Sequence, residues 1–412
     1  MSRRVSLGIL LMCLGLIGLC DYASAASPSL WPQWRGPQRD GILSDFTAPE
    51  KWPETLKQVW QVTVGSGDST PALVDGRLYL HTRQGDEEVL LCLDAESGKE
   101  IWTNKYPSPP VTGPAARHPG PRSSPAVAQG KVVALGAAGI VSCVDAATGK
   151  TLWRNDSFKG VPRFFTAMSP IIVDDVAILH LDGPDTGSVV AFELASGTIR
   201  WRWDGDGPSY SSPVLATIEG SRQLVMLTNK NLIGLDVQKG QPLWSVEFAP
   251  SGMNYNAATP IVEGSVIYFA GAGRGSRAIR VEKNGSAFSV KEIWNNPELA
   301  PQFNSPVLVA GKLFGLSQRG NLYCLDAATG KTLWVDDNRH SGFGAILGSP
   351  QALLAMTERN GLIVYAPKAE GFQPLATYQV SAGPVYATPV VVGNRIYIKD
   401  AETLTLWELA KP

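Results

Sequence analysis

From residue 57 towards the C-terminus the hydrophobic positions come in short bursts, among them VLLCLD from Val89, KVVALG from Lys131, VAILHLD from Val176, VIYFAG from Val266 and RIYIKD from Arg395. Each burst is too short for a helical apolar stripe. Most are bounded by Gly, Pro, Asn or Asp, which is the signature of short strands joined by tight turns. The composition agrees, with 42 Gly, 30 Pro and only 18% charged residues in 412. The pattern predicts an all-β chain.

Residues 1–25 follow another pattern. Arg3 and Arg4 precede an apolar stretch from Val5 to Leu19, and Ala23-Ser24-Ala25 supplies small residues at a cleavage site. These features define a signal peptide ending at Ala25, and therefore an exported, periplasmic or extracellular protein. The stretch is shorter than the roughly 20 residues of a membrane-spanning helix, so the mature chain is expected to have no membrane span. Lipid anchoring through Cys20 is the competing reading, disfavoured by Leu19 before it and kept open by Asp21 behind it.

The strand signals are organised as a repeat. LCLDAESGKEIW from Leu91, SCVDAATGKTLW from Ser142 and YCLDAATGKTLW from Tyr323 are one word, with looser copies at AFELASGTIRW from Ala191 and IGLDVQKGQPLW from Ile233. Upstream of each stands Ser or Thr followed by Pro and an apolar run. These prolines are Pro71, Pro125, Pro170, Pro213, Pro260, Pro306, Pro350 and Pro389, spaced 39 to 54 residues apart. A period near 45 residues is that of a four-stranded propeller blade, so eight anchors predict an eight-bladed β-propeller of antiparallel blades over 57–412. The aromatic ends of the repeats are Trp102, Trp153, Trp201, Trp244, Trp294, Trp334 and, in the seventh, Tyr378. The eighth repeat stops before its outer strand, whereas an orphan strand with the same Trp, KQVWQVTV around Trp60, precedes the first. The two ends are expected to complete one blade, which leaves no open ring edge.

Each repeated residue has a physical task. Pro is tolerated at the first residue of a strand, so Ser/Thr-Pro should open the innermost strand of each blade. The Asp of the turn word accepts backbone N–H bonds, its Gly supplies positive φ, and the Trp is placed to pack on the neighbouring blade. This Asp-x-x-Thr-Gly-x-x-x-Trp turn resembles the tryptophan-docking motif of the pyrroloquinoline-quinone (PQQ) repeat family, which includes quinoprotein alcohol dehydrogenases and the outer-membrane assembly lipoprotein propeller. The resemblance spans about residues 57 to 409. In the dehydrogenases it implies a quinone above the central channel, with a Trp beneath, adjacent disulfide-bonded cysteines above, a calcium ion and an Asp base.

This sequence departs from that set. It has no adjacent cysteines; Cys92, Cys143 and Cys324 stand two residues before the Asp position of three separate turn words and read as buried apolar residues. No catalytic constellation and no metal-ligand spacing is visible. Gly271–Gly275 lacks the following helix of a phosphate loop, and Asp204-Gly-Asp206-Gly lacks the further ligands of a calcium loop. His81 and His180 share one repeat position, while His118 and His340 stand alone in loops.

Propeller ligands bind where inter-blade loops converge, here called the upper face. Residues placed there are Asp68, Arg122, Tyr210, Asn256, Asn304 and Tyr386, with hairpin arginines Arg274, Arg277, Arg319 and Arg359 approaching from the same side. Arg122, Tyr210, Asn256, Arg274, Asn304, Arg319 and Tyr386 are the candidate ligand or cofactor contacts, and the arginines suit a carboxylate-rich ligand. Loops Thr103–Ser123 and Arg154–Met168 could bind a ligand or cover the channel mouth. Residues 26–56, a segment rich in Pro and Trp with Trp31, Trp34 and Trp52, should form an ordered strap. A formal net charge of −1 offers nothing to nucleic acid. The expected protein is a monomeric, non-catalytic binding propeller for a protein, peptide or glycan partner. The alternative is a PQQ-dependent, calcium-assisted oxidoreductase or a degenerate PQQ-binding protein.

Overall fold

In a computed structural model, which describes residues 30–183, 185–252, 254–359 and 361–409, eight four-stranded antiparallel sheets form an eight-bladed β-propeller. Residues 1–25, where a signal peptide is expected, lie outside the described residues, Cys20 included. Among the described residues, no helix is long and apolar enough to cross a membrane. Blades one to seven each run outwards through four consecutive strands, blade one being Ala72–Val74, Arg77–Gln84, Glu87–Asp94 and Glu100–Pro107. Blade eight is composite: its outer strand is Lys57–Thr63, paired antiparallel with Thr403–Glu408, and Trp60 lies opposite Leu406.

Seven Ser/Thr-Pro anchors directly precede an innermost strand. Pro350 does not, because the innermost strand of blade seven is Gly344–Gly348 and Ser349-Pro350 forms the turn after it. In that turn the Ser349 hydroxyl donates to the Ala352 carbonyl and accepts from the Gln351 and Ala352 amides. A serine turn wins over the repeat register. Around the axis, the hydroxyls of the other anchors join successive blades. The backbone N–H of Thr70 donates to Ser124 Oγ, Ser124 to Ser169, Ser169 to Ser212, Thr259 to Ser305, and Thr388 back to Thr70 Oγ1, at 2.8–3.0 Å.

The periphery is joined by indoles. Nε1 of Trp60, Trp102, Trp153, Trp201, Trp294 and Trp334 donates to a main-chain oxygen in the next blade: Ala95, Ala146, Leu194, Val237, Ala327 and Lys368, at 2.8–3.3 Å. For five of these rings the glycine of the next turn word lies against the indole face; a Cβ added to Gly149 would stand 2.5 Å from Trp102. Its φ of +71° makes a second demand for glycine. Trp244 is the exception. Blade five replaces the turn word with a long hairpin, Gly275–Asn284 and Ala287–Asn296, and Trp244 Nε1 donates instead to Gln223 Oε1 of its own blade. Cys92, Cys143 and Cys324 are buried and stand opposite Trp102, Trp153 and Trp334 on the adjacent strand.

Two outcomes test this account. Gly149→Ala should cost about 1–2 kcal/mol for the left-handed backbone plus about 1–3 kcal/mol for collision with the indole. Gly76→Ala has the same φ of +71° but nothing within 4 Å, and should show the first cost alone in denaturant titrations. Burial pushes the Cys92 thiol up to about 11 and those of Cys143 and Cys324 up to about 12. All three should resist alkylation at pH 8 in the folded protein and react once it is unfolded.

Candidate functional site

The upper mouth of the channel holds a cavity of about 360 Å³ walled by the loops that enter successive blades. The geometry follows from the repeat: the residue two positions before each Ser/Thr anchor faces the axis. At those positions stand Asp68, Arg122, Ala167, Tyr210, Ala257, Phe303 and Tyr386, and every one of them lines the cavity. Blade seven, whose anchor is displaced, contributes Phe343 from the residue before its innermost strand.

The strap closes the cavity from below. Trp31 bridges Leu73 of blade one, the Val127 amide donates to the Pro32 carbonyl, and Ile42 bridges Gly348 of blade seven. Trp34 Nε1 donates to Thr259 Oγ1, and its indole joins the lining. Two fully buried arginines fix this crossing. Arg35 donates to the carbonyls of Ser305, Pro306 and Asp40, while Arg39 donates to those of Ser169 and Pro170 and to Gln33 Oε1. Burial pulls their guanidinium pKa values down to about 10 and about 9, which leaves both charged at neutral pH. Four of the carbonyls they bind belong to the Ser-Pro anchors just before two innermost strands.

Two aromatic groups line the cavity. Phe164, Tyr210 and Tyr255 meet edge to face with centroids 5.1–6.1 Å apart. Phe303 stacks on Phe343 at 4.4 Å and 7°, Phe343 meets Tyr386 edge-on at 5.3 Å, and His118 meets Tyr386 at 4.7 Å. Most polar groups of the lining are already engaged. Arg122 donates to the carbonyls of Phe164, Ala115 and His118, binding the two long loops together, and burial lowers its pKa against the opposing pull of Asp68. Asp68 Oδ2 is 2.8 Å from His118 Nδ1. Asn304 exchanges both amide bonds with the backbone of Leu316, and Tyr210 Oη accepts from the Phe164 amide.

Of the residues singled out in the sequence, Arg122, Tyr210, Asn304 and Tyr386 line the cavity and Asn256, Arg274 and Arg319 do not. Asn256 is buried and donates to the carbonyls of Thr228, Asn229 and Phe248. Arg274 lies over the Phe248 ring at 4.1 Å and donates to that residue's carbonyl. Arg319 is exposed in a hairpin. Asn256 stands one residue out of register, and Ala257 holds the lining position. Sequence reasoning also missed Trp34, Tyr255, Phe303 and Phe343, although for Phe303 a constant offset from the anchor would have found it.

The calcium-quinone centre implied by the repeat resemblance does not fit these residues. One carboxylate, Asp68, lines the cavity and is taken by His118. Among the described residues no three His, Cys, Asp or Glu stand together as a metal donor set, and the three thiols are buried in separate blades.

Fold and cavity thus define a class, an eight-bladed propeller with tryptophan-docked blades and an axial cup sealed by its own N-terminal strap. The family model described as outer membrane protein assembly factor BamB matches residues 50–202, 114–336 and 318–411, and the chain belongs to that family. BamB of Yersinia pestis is 22% identical over 362 residues, covering 83% of this chain and 86% of that protein. Methanol dehydrogenase subunit 1 of Methylorubrum extorquens is 25% identical over 173 residues, 37% of this chain and 26% of that one. In fold, BamB from Moraxella catarrhalis matches with a TM-score of 0.66 at 16% identity, covering 86% of this chain and 100% of that chain. Quinohemoprotein alcohol dehydrogenase from Comamonas testosteroni matches with 0.71 at 15% identity, covering 94% and 81%.

Arg39→Ala should leave the Ser169 and Pro170 carbonyls without their donor and cost about 2–4 kcal/mol. Phe303→Ala, at a ring 38% exposed, should cost under about 1 kcal/mol. Denaturant midpoints of the two variants check the contrast.

Proposed function

We propose that this chain is an exported, non-catalytic scaffold of the cell envelope that binds another protein by holding a segment of it in the axial cup. The observation that carries the reading is the lining: seven aromatic rings, from Trp34, Phe164, Tyr210, Tyr255, Phe303, Phe343 and Tyr386, surround a cavity whose buried polar atoms are largely satisfied within the fold. Such a surface gains by contact and desolvation, and among the described residues it offers no cluster of metal donors. Relatives that cover most of the chain are named for assembly of outer-membrane proteins, which agrees with a protein ligand. Residues 1–25 supply the route out of the cytoplasm.

A photoreactive phenylalanine analogue at position 303 of the exported protein tests the reading in cells. It should yield discrete protein adducts that Phe343→Ala and Tyr386→Ala deplete. The same analogue at Ile199, exposed on the outer rim of blade three, should not yield those adducts. Stoichiometric binding of added quinone with calcium, accompanied by dye-linked alcohol oxidation and no adduct at position 303, would replace the scaffold with the oxidoreductase.

A further inference from the structure

The rings say that the cup takes an apolar group, and the charges around its mouth say more. Among the described residues, three arginines line the cavity, Arg35, Arg117 and Arg122, and Arg163 stands beside the lining residue Phe164. Arg35 and Arg122 are spent on main-chain carbonyls. Arg117, which lines the cavity from the loop of residues 103–123, is exposed, and Arg163, from the loop of residues 154–168, is exposed beside the Phe164 ring at 5.7 Å. Among the described residues, neither of these two forms an ion pair or a hydrogen bond. On the acidic side Asp68 pairs with His118 at 2.8 Å and Asp336 with His340 at 2.6 Å, while Glu358 accepts from Ser341 Oγ at 3.0 Å and has no cationic partner among the described residues. The one carboxylate among the lining residues, Asp68, is engaged, while two guanidiniums are left for an acidic ligand.

Resting on the polypeptide reading above, we infer that the cup selects an acidic segment carrying an aromatic residue, with Arg117 and Arg163 as specificity-determining residues at its rim. The aromatic ring enters between the Phe164 and Phe343 groups, whose edge-to-face geometry extends naturally to one more ring. The adjacent carboxylate meets a guanidinium fork at the rim, where charge complementarity raises the encounter rate as well as the affinity. A basic segment would place its ammonium against uncompensated arginines and be rejected.

The test uses protein purified after export of the full chain and four acetylated, amidated peptides in a Gly/Ser background, with Phe-Asp, Phe-Lys, Leu-Asp or Ser-Asp at the centre. Calorimetry or anisotropy should rank Phe-Asp first and Leu-Asp behind it. Phe-Lys should be about tenfold weaker or worse and Ser-Asp should be lost. Arg117→Glu combined with Arg163→Glu, both on exposed loop positions, should keep the circular dichroism spectrum and reverse the Asp/Lys preference. Raising the salt should weaken Phe-Asp binding to the unsubstituted protein and strengthen it in the doubly substituted one, where screening relieves the repulsion from the two glutamates. Equal affinity for Phe-Asp and Phe-Lys, unmoved by the arginine substitutions, would overturn the inference and leave the polypeptide reading standing. If none of the peptides binds, the polypeptide reading falls and takes the inference with it.

Discussion

Everything in this molecule depends on an indole lying flat on a glycine of the next blade. The contact requires a large ring, a residue without Cβ and an accessible carbonyl at the ring's edge, and the turn word supplies the last two from one hairpin. Repeated around the periphery and matched by hydroxyl links at the axis, it fixes the angle between blades from both ends. Each blade buries its faces only against its neighbours, so the ring has to close. Closure requires a strand from the far end of the chain, and that strand brings the preceding strap under the channel.

The strap makes the cup different from an open pore. Two buried guanidiniums hold the anchor carbonyls that lead into the innermost strands of blades three and six, and Trp34 joins the lining beside Arg35. Repetition then sets where the lining residues stand, and departures from repetition set what they are. Arg117, Phe164 and Tyr255 all come from segments outside the repeated words.

Much of this architecture is legible in the sequence because it is periodic. The Ser/Thr-Pro anchor recurs eight times and the Trp returns in KQVWQVTV before the first repeat, so eight blades and the closure at Trp60 can be counted without coordinates. Pro350 misleads, since a Ser-Pro pair serves equally well in a turn as at a strand start. The cup is legible only in part. Asn256 and Arg274 look like ligand contacts by type, but each finds backbone carbonyls that no pattern reveals. The strap's arginines, charged residues in a Pro-rich segment, carry no sequence sign that they will be buried.

The closing strand also orders events in time. Trp60 is among the first residues of the propeller to be made, yet its strand pairs with Thr403–Glu408, among the last. Until the last strands are made, Lys57–Thr63 has no sheet to join, and its main-chain donors and acceptors stay exposed. The ring therefore commits at its final strand. A chain interrupted a few residues early leaves the first strand without its partner, and the strap without the closure that follows it, however well the seven blades between have formed.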